Sequence, residues 1–207
     1  FSATGSGTDA GTAAWLSAQA TAGLTVSTPP GTITWVTRAP MPTARQSLAT
    51  SAVGGTIYAI GGYDGSSIVA TMEAYGSSAN TWNTKAPMLT ARQALAAATL
   101  GSTIYAIGGA SPNEIATVEA YDPATNTWSA KAPMSTARFS LAAVAVGGKI
   151  YAMGGQANGC VISSVLEAYD PATNSWTTRA SMPTARGSLA AAVVGGTIYA
   201  IGGTACG

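Results

Sequence analysis

Histidine is absent from this 207-residue chain, and charge is scarce: Asp, Glu, Lys and Arg together make 8% of residues. Without histidine there is no Ser-His-Asp triad, and both the commonest general base and the commonest metal ligand are missing. A soluble domain ordinarily carries about three times as much charge. Nine basic residues face eight acidic ones, and no run of Lys or Arg exists to neutralise a row of phosphates, which disfavours nucleic acid as a partner. No apolar stretch approaches the roughly 18 residues needed to cross a bilayer as a helix. Residues 1–30 contain no Lys or Arg and the chain starts at Phe1, so the charged start of a signal peptide is lacking. Processing of a precursor or a fragment boundary accounts for both facts. Hydroxyl and small residues take the place of charge, a balance commoner in extracellular and cell-surface proteins. Two cysteines, Cys160 and Cys206, form no CxxC pair.

What the chain has is repetition. Residues 41–45, 88–92, 134–138 and 182–186 each read Met-x-Thr-Ala-Arg, with successive arginines 47, 46 and 48 residues apart. Ile-Tyr-Ala-(Ile/Met)-Gly-Gly recurs, ending at Gly62, Gly109, Gly155 and Gly203. Glu-Ala-Tyr occurs at Glu73, Glu119 and Glu167, and a tryptophan follows seven residues after each tyrosine, at Trp82, Trp128 and Trp176. Trp35 stands in phase ahead of them. Motifs held in phase over so long a stretch mark a repeat architecture.

Each unit predicts four short strands. A run of small apolar residues, such as 140–146, leads to a Gly-Gly hairpin turn. Residues 57–60 then form a second strand ended by Gly61-Gly62, and a variable loop leads to a third strand around 71–75. Asp-Pro-Ala-Thr-Asn (122–126 and 170–174) suits a tight turn, and the fourth strand carries the tryptophan.

Paired glycines closing the second strand, with spaced Tyr and Trp in the third and fourth, resemble the kelch repeat over residues 32–203. The resemblance implies an all-β fold, a kelch-type β-propeller of four-stranded blades around an axis. It also implies that loops joining second to third strands share one face with the connections between blades. Three blades are complete by this count, 45–82, 92–128 and 138–176. A fourth has two strands in 186–203, and 32–37 supplies a lone fourth strand. Leu24–Ser27 is a candidate for the strand still missing. Three readings stay open: a four-bladed ring, part of a larger propeller, or completion by neighbouring copies. Residues 1–30 form an arm in which 21 of 30 are Ala, Gly, Ser or Thr, ahead of a propeller at 31–207. The arm reads either as a linker, with Asp9 able to cap a short helix through Ala20, or as a strand that docks on a propeller edge.

Arg45, Arg92, Arg138 and Arg186 recur with the repeat, so a structural role is expected, paired with Glu73, Glu119 and Glu167 or bonded to loop carbonyls. Trp35, Trp82, Trp128 and Trp176 are expected to pack between blades. Non-repeated loop residues are the binding candidates: Tyr63 and Asp64, Asn113 and Glu114, and Gln156 and Asn158. Cys160 and Cys206 fall in the same loop of adjacent blades and are expected to form a disulfide, which would imply an oxidising compartment. No catalytic residue, metal site or cofactor is expected. Kelch-like copper-radical oxidases need histidine ligands, and the arginines here are framework rather than a sialidase-type cluster. The expected function is extracellular, non-catalytic recognition of a protein or glycan through the variable loops. The alternative is a self-associating subunit of a filament or surface layer, built through the arm and open blade edges.

Overall fold

The computed structural model describes residues 14–15, 24–27, 34–157 and 161–204, none of them helical. The N-terminal part holds β1 (Ala14–Trp15), β2 (Leu24–Ser27) and β3 (Thr34–Thr37) in one antiparallel sheet, in that order. Three four-stranded antiparallel sheets follow. The first is β4 (Ala49–Val53), β5 (Thr56–Ile60), β6 (Met72–Gly76) and β7 (Thr81–Lys85). The second is β8 (Ala96–Leu100), β9 (Thr103–Ile107), β10 (Val118–Asp122) and β11 (Thr127–Lys131). The third is β12 (Ala142–Val146), β13 (Lys149–Met153), β16 (Leu166–Asp170) and β17 (Ser175–Arg179). Its variable loop carries a small hairpin, β14 (Gln156–Ala157) with β15 (Val161–Ile162). A last hairpin pairs β18 (Ala190–Val194) with β19 (Thr197–Ile201).

The local chemistry explains these elements. Gly54 and Gly55 turn from β4 into β5 at φ 58° and 75°, the double left-handed geometry that twists two strands together. Asn80, Asn126 and Asn174 hold φ of 53°, 55° and 48° in the turns before the outer strands; asparagine tolerates this region better than most residues. Successive first strands lie side by side, β4 against β8, β8 against β12 and β12 against β18. The core fills the space between blades: Tyr58, Ile60, Met72 and Ala74 meet Leu95, Ile104, Ala106 and Tyr121. Small residues dominate the first strands because blades converge there.

Neighbouring blades are stitched where each arginine's carbonyl meets the glycine pair of the preceding blade. Gly62, Gly109 and Gly155 donate their N–H groups to the carbonyls of Arg92, Arg138 and Arg186 at 2.9, 2.9 and 2.8 Å. The glycine before each has positive φ, and a Cβ there would lie 2.5 Å from Arg92 O at Gly61 and 2.6 Å from Arg138 O at Gly108. Only glycine fits.

The N-terminal segment departs from a capped helix, because Ala14 and Trp15 pair as a strand with Thr25 and Leu24. A helix so short is marginal without tertiary support, and the Leu-Thr-Val-Ser strand offers a ladder instead. Leu24–Ser27 does pair with the Trp35 strand, so ordered pairing reaches into the stretch assigned to the arm. Among the described residues no strand pairs with the outer edge of β19. Trp35 is 46% exposed and does not share the half-buried packing of the other three tryptophans. Cys160, Cys206 and the disulfide expected between them lie outside the described residues, as does Asn158.

Gly202 has the same backbone geometry as Gly108 but open space around it. Gly108→Ala is therefore expected to cost about 1–3 kcal/mol more than Gly202→Ala in chemical denaturation. Equal losses would show that the close approach does not constrain the blade.

Candidate functional site

Candidate ligand groups divide into those that the framework consumes and those that stand in the variable loops. Arg45 is 1% exposed; its Nη2 donates to Glu73 Oε2 at 2.7 Å, and its Nη1 donates to the carbonyls of Gly61 and Thr71 at 2.7 and 2.8 Å. Arg138 repeats this with Glu167 Oε2 at 2.7 Å and with Gly154 O and Val165 O, both at 2.9 Å. Arg92 does so with Glu119, Gly108 O and Thr117 O. The second oxygen of each glutamate is also taken, by Thr43 Oγ1 at 2.9 Å, by Leu89 N–H at 2.7 Å and by Ser135 N–H at 2.8 Å. Burial pushes the Arg92 and Arg138 guanidiniums down from the usual value, against the pull of Glu119 and Glu167. These arginines sit buried at blade seams, each held by a glutamate and by two or more carbonyls, and are closed to a ligand; the Arg138 Nε alone lacks a partner among their described side-chain atoms. Arg186 differs: it is half-buried and bonds Gly202 O at 2.6 Å, with no carboxylate partner among the described residues.

The tryptophans are consumed similarly. Trp82, Trp128 and Trp176 donate Nε1–H to the carbonyls of Ala39, Ala86 and Ala132 at 2.9, 2.9 and 2.8 Å. Those alanines lie in the connections from the preceding blade. Their N–H groups donate to Asn80, Asn126 and Asn174 Oδ1 at 2.9, 3.0 and 2.9 Å. The same oxygens accept the Tyr75, Tyr121 and Tyr169 hydroxyls, each at 2.8 Å. Each Tyr ring packs at 5.2 Å from its Trp. The asparagine is a framework residue that sequence reading saw only as part of a turn. Its signal was an invariant spacing, two residues before every one of these tryptophans.

The variable loops gather along one rim. The residue after each arginine pairs with the start of its blade's loop, Gln46 with Tyr63, Gln93 with Ala110, Phe139 with Gln156 and Gly187 with Thr204. A backbone chain crosses the blades beneath them: Ala94 N–H to Ser47 O and Ser140 N–H to Ala94 O at 2.7 Å, then Ser188 N–H to Ser140 O at 2.8 Å. Ser47, Ala94, Ser140 and Ser188 all take positive φ, between 51° and 55°, so this rim holds backbone in a sparsely populated region.

Along the rim, Asp64 is exposed and its Oδ1 accepts Ser66 N–H at 2.9 Å, Ser66 Oγ–H at 2.9 Å and Ser67 N–H at 2.7 Å. The Ser66 and Ser67 backbone bonds hold its carboxyl below the usual value. Tyr63 OH donates to Gly65 O at 3.1 Å. Asn113 is exposed and Glu114 half-buried, with Glu114 Oε2 lacking a hydrogen-bond partner. Gln156 N–H donates to Phe139 O at 2.8 Å. Tyr63, Asp64, Asn113, Glu114 and Gln156 are thus on the rim, in loops of three successive blades. Gln46, Gln93 and Phe139 join them, and sequence reading missed these three. Their signal was the most variable position, Gln, Gln, Phe and Gly in turn, inside the recurring Thr-Ala-Arg-x-(Ser/Ala)-Leu. Among the described residues no three Asp, Glu or Cys side chains gather as a metal site would require.

Four-stranded blades, locked by buried Arg–Glu pairs and carrying a rim of unlike loops, define a propeller framework. The kelch motif matches residues 44–89, 91–135 and 137–183, and the chain belongs to the kelch-repeat family. Such repeats indicate a protein-binding propeller in general. No curated protein matches the chain.

Breaking a buried ion pair strands the remaining charge, at a cost of about 3–5 kcal/mol. Glu119→Ala is expected to lose that much in urea denaturation, and Arg186→Ala less than about 1 kcal/mol. Burial pushes Tyr121 up to about 12, with Tyr58 and Asp122 adding to it, and raises Tyr58, Tyr105 and Tyr169 as well. Since the folded value exceeds the unfolded one, near 10, the stability tied to the neutral rings is full below pH 10. It falls as pH rises toward 12. Denaturation midpoints across that range, read beside tyrosinate absorbance, check this; a flat midpoint would contradict it.

Proposed function

We propose that the chain is an extracellular or cell-surface binding module that recognises a protein, without catalysis, through the rim of variable loops. The observation that carries this reading is the division of labour between positions. The recurring Arg, Glu, Tyr, Asn and Trp groups are spent on each other and on backbone. The unlike loop residues Tyr63, Asp64, Asn113, Glu114 and Gln156 lie together on the rim, beside Gln46, Gln93 and Phe139. A scaffold whose framework groups recur while the loops of one rim differ presents a surface whose chemistry changes without cost to the fold.

Protein is favoured over glycan because Trp82, Trp128 and Trp176 are half-buried, with their indole N–H groups taken, and none of them lies in the variable loops. Tyr63 offers an aromatic face, and Asp64 is an anion already fixed in orientation by its own loop, which lowers the ordering cost of binding. Low charge and hydroxyl-rich composition favour the extracellular assignment.

The test is photo-cross-linking from a rim position and from the outer face of a blade, on cells displaying candidate partners. Rim probes are expected to capture a protein that probes at Thr81 and Asn83 do not. Tyr63→Ala/Asp64→Ala in the same chain is expected to weaken that capture at least tenfold while leaving the melting temperature unchanged. Capture by outer-face probes alone would overturn the assignment.

A further inference from the structure

Glu114 stands where the loops of the other two complete blades carry isoleucine. Ile68, Glu114 and Ile162 each pair across their loop with its first residue, Tyr63, Ala110 and Gln156. The residue after each, Val69, Ile115 or Ser163, donates its N–H to the second glycine of the pair and accepts the N–H of the next blade's arginine. The three side chains therefore share one place in the repeat, at the seam between a loop and the blade that follows. At the third seam, Ile162 Cδ1 lies 3.0 Å from where a Cβ on Gly187 would stand. This place thus abuts the residue that follows the arginine. At the second seam that residue is Phe139.

Isoleucine suits such a half-buried place; a carboxylate does not. Glu114 is half-buried, and its Oε2 is buried with no hydrogen-bond partner. The amides of this seam are spent on backbone: Ala110 N–H on Gln93 O, Ile115 N–H on Gly109 O, Arg138 N–H on Ile115 O and Phe139 N–H on Gln156 O. Among the described residues Glu114 joins no ion pair, and Arg138 turns its guanidinium to Glu167. The loops 63–71, 110–117 and 156–165 contain Asp64 and Glu114 and no Lys or Arg. A desolvated carboxylate oxygen without a donor is costly, and its own rim supplies none.

We propose that Glu114 is the anionic half of a subsite for an arginine side chain of the protein partner, an inference that rests on the rim reading above. The guanidinium brings the donors that the chain withholds. The terminal torsion of a glutamate is soft, so either carboxylate oxygen can turn to meet them. Phe139, on the other side of the seam, supplies a ring on which a planar cation stacks. Arginine is favoured over lysine because it is flat and more weakly hydrated, and so gives up less water on entering a half-buried place. Loops with acids and no bases also draw a cation in from solution. Asp64 is a different case: its Oδ1 already accepts three donors from its own loop.

The probe is Nα-acetylarginine amide, titrated into the isotopically labelled full chain and followed by NMR, with the uncharged Nα-acetylcitrulline amide as control. Saturable shifts of the Glu114, Ile115 and Phe139 amides are expected with the arginine compound. Glu114→Gln is expected to weaken them about tenfold or more, and the citrulline compound to produce none. Glu114→Ile, which restores the residue type of the other loops, is expected to raise the melting temperature while removing the response. Equal binding by the Glu114→Gln chain, an equal response to citrulline, or no saturable shift would each overturn the proposal. So would a lower melting temperature for Glu114→Ile, which would mean that the chain itself satisfies the carboxylate. The rim reading is judged apart. Rim capture of a protein that Glu114→Gln leaves unchanged sinks the arginine subsite alone, whereas capture by outer-face probes alone sinks both.

Discussion

The buried arginine of each repeat is the constraint on which the rest depends. One guanidinium joins three parts of a blade: the turn that ends the second strand, the start of the third strand and the third-strand glutamate. The carbonyl of that residue receives the glycine N–H of the blade before. Blade closure and blade stacking therefore converge on one residue. Such a charge, 0–1% exposed in three repeats, is tolerable only with a counter-charge and acceptors for its terminal N–H groups, so the glutamate and the glycine pair are obliged to recur with it. The tyrosine, asparagine and tryptophan form a second, outer lock of the same kind, in which the tyrosine hydroxyl, the asparagine Oδ1 and the indole N–H each have a partner.

That economy decides where function can lie. A chain with 8% charged residues has few groups to offer a ligand, and its framework consumes most of them. What is left over sits in the loops after the glycine pairs and at the residue following each arginine. The rim is ordered by backbone bonds rather than by side chains, which lets its side chains vary. Asp64 shows the result: an exposed carboxylate whose orientation is set by Ser66 and Ser67 of its own loop.

Much of this was legible in the sequence because the repeat is dense with turn chemistry. Gly-Gly pairs, the Asp-Pro-Ala-Thr-Asn turns and the co-recurrence of Arg with Glu-Ala-Tyr foretold strands, hairpins and the ion pairs. Asn126 was legible only as a turn former, since nothing in a turn motif says that its side chain also caps the preceding connection. At Ala14 and Trp15 the helix reading misled for a physical reason: small and hydroxyl residues commit to no structure on their own, and the partner strand decides. Thus Ala14 and Trp15 pair as a strand where local capping suggested a helix. Trp35 kept its phase but not its burial, because tryptophan packing depends on the blade beside it and not on spacing.

Native-state hydrogen exchange tests the central claim most directly. If the arginine seams hold the blades together, the amides of Gly62 and Gly109 exchange only through global unfolding, with the same free energy as denaturation. Amides of β18–β19, where Arg186 has no carboxylate partner among the described residues, exchange through a lower-energy local opening. Exchange of Gly62 and Gly109 as fast as the exposed loop amides of Ser66 and Ser67 would contradict the account.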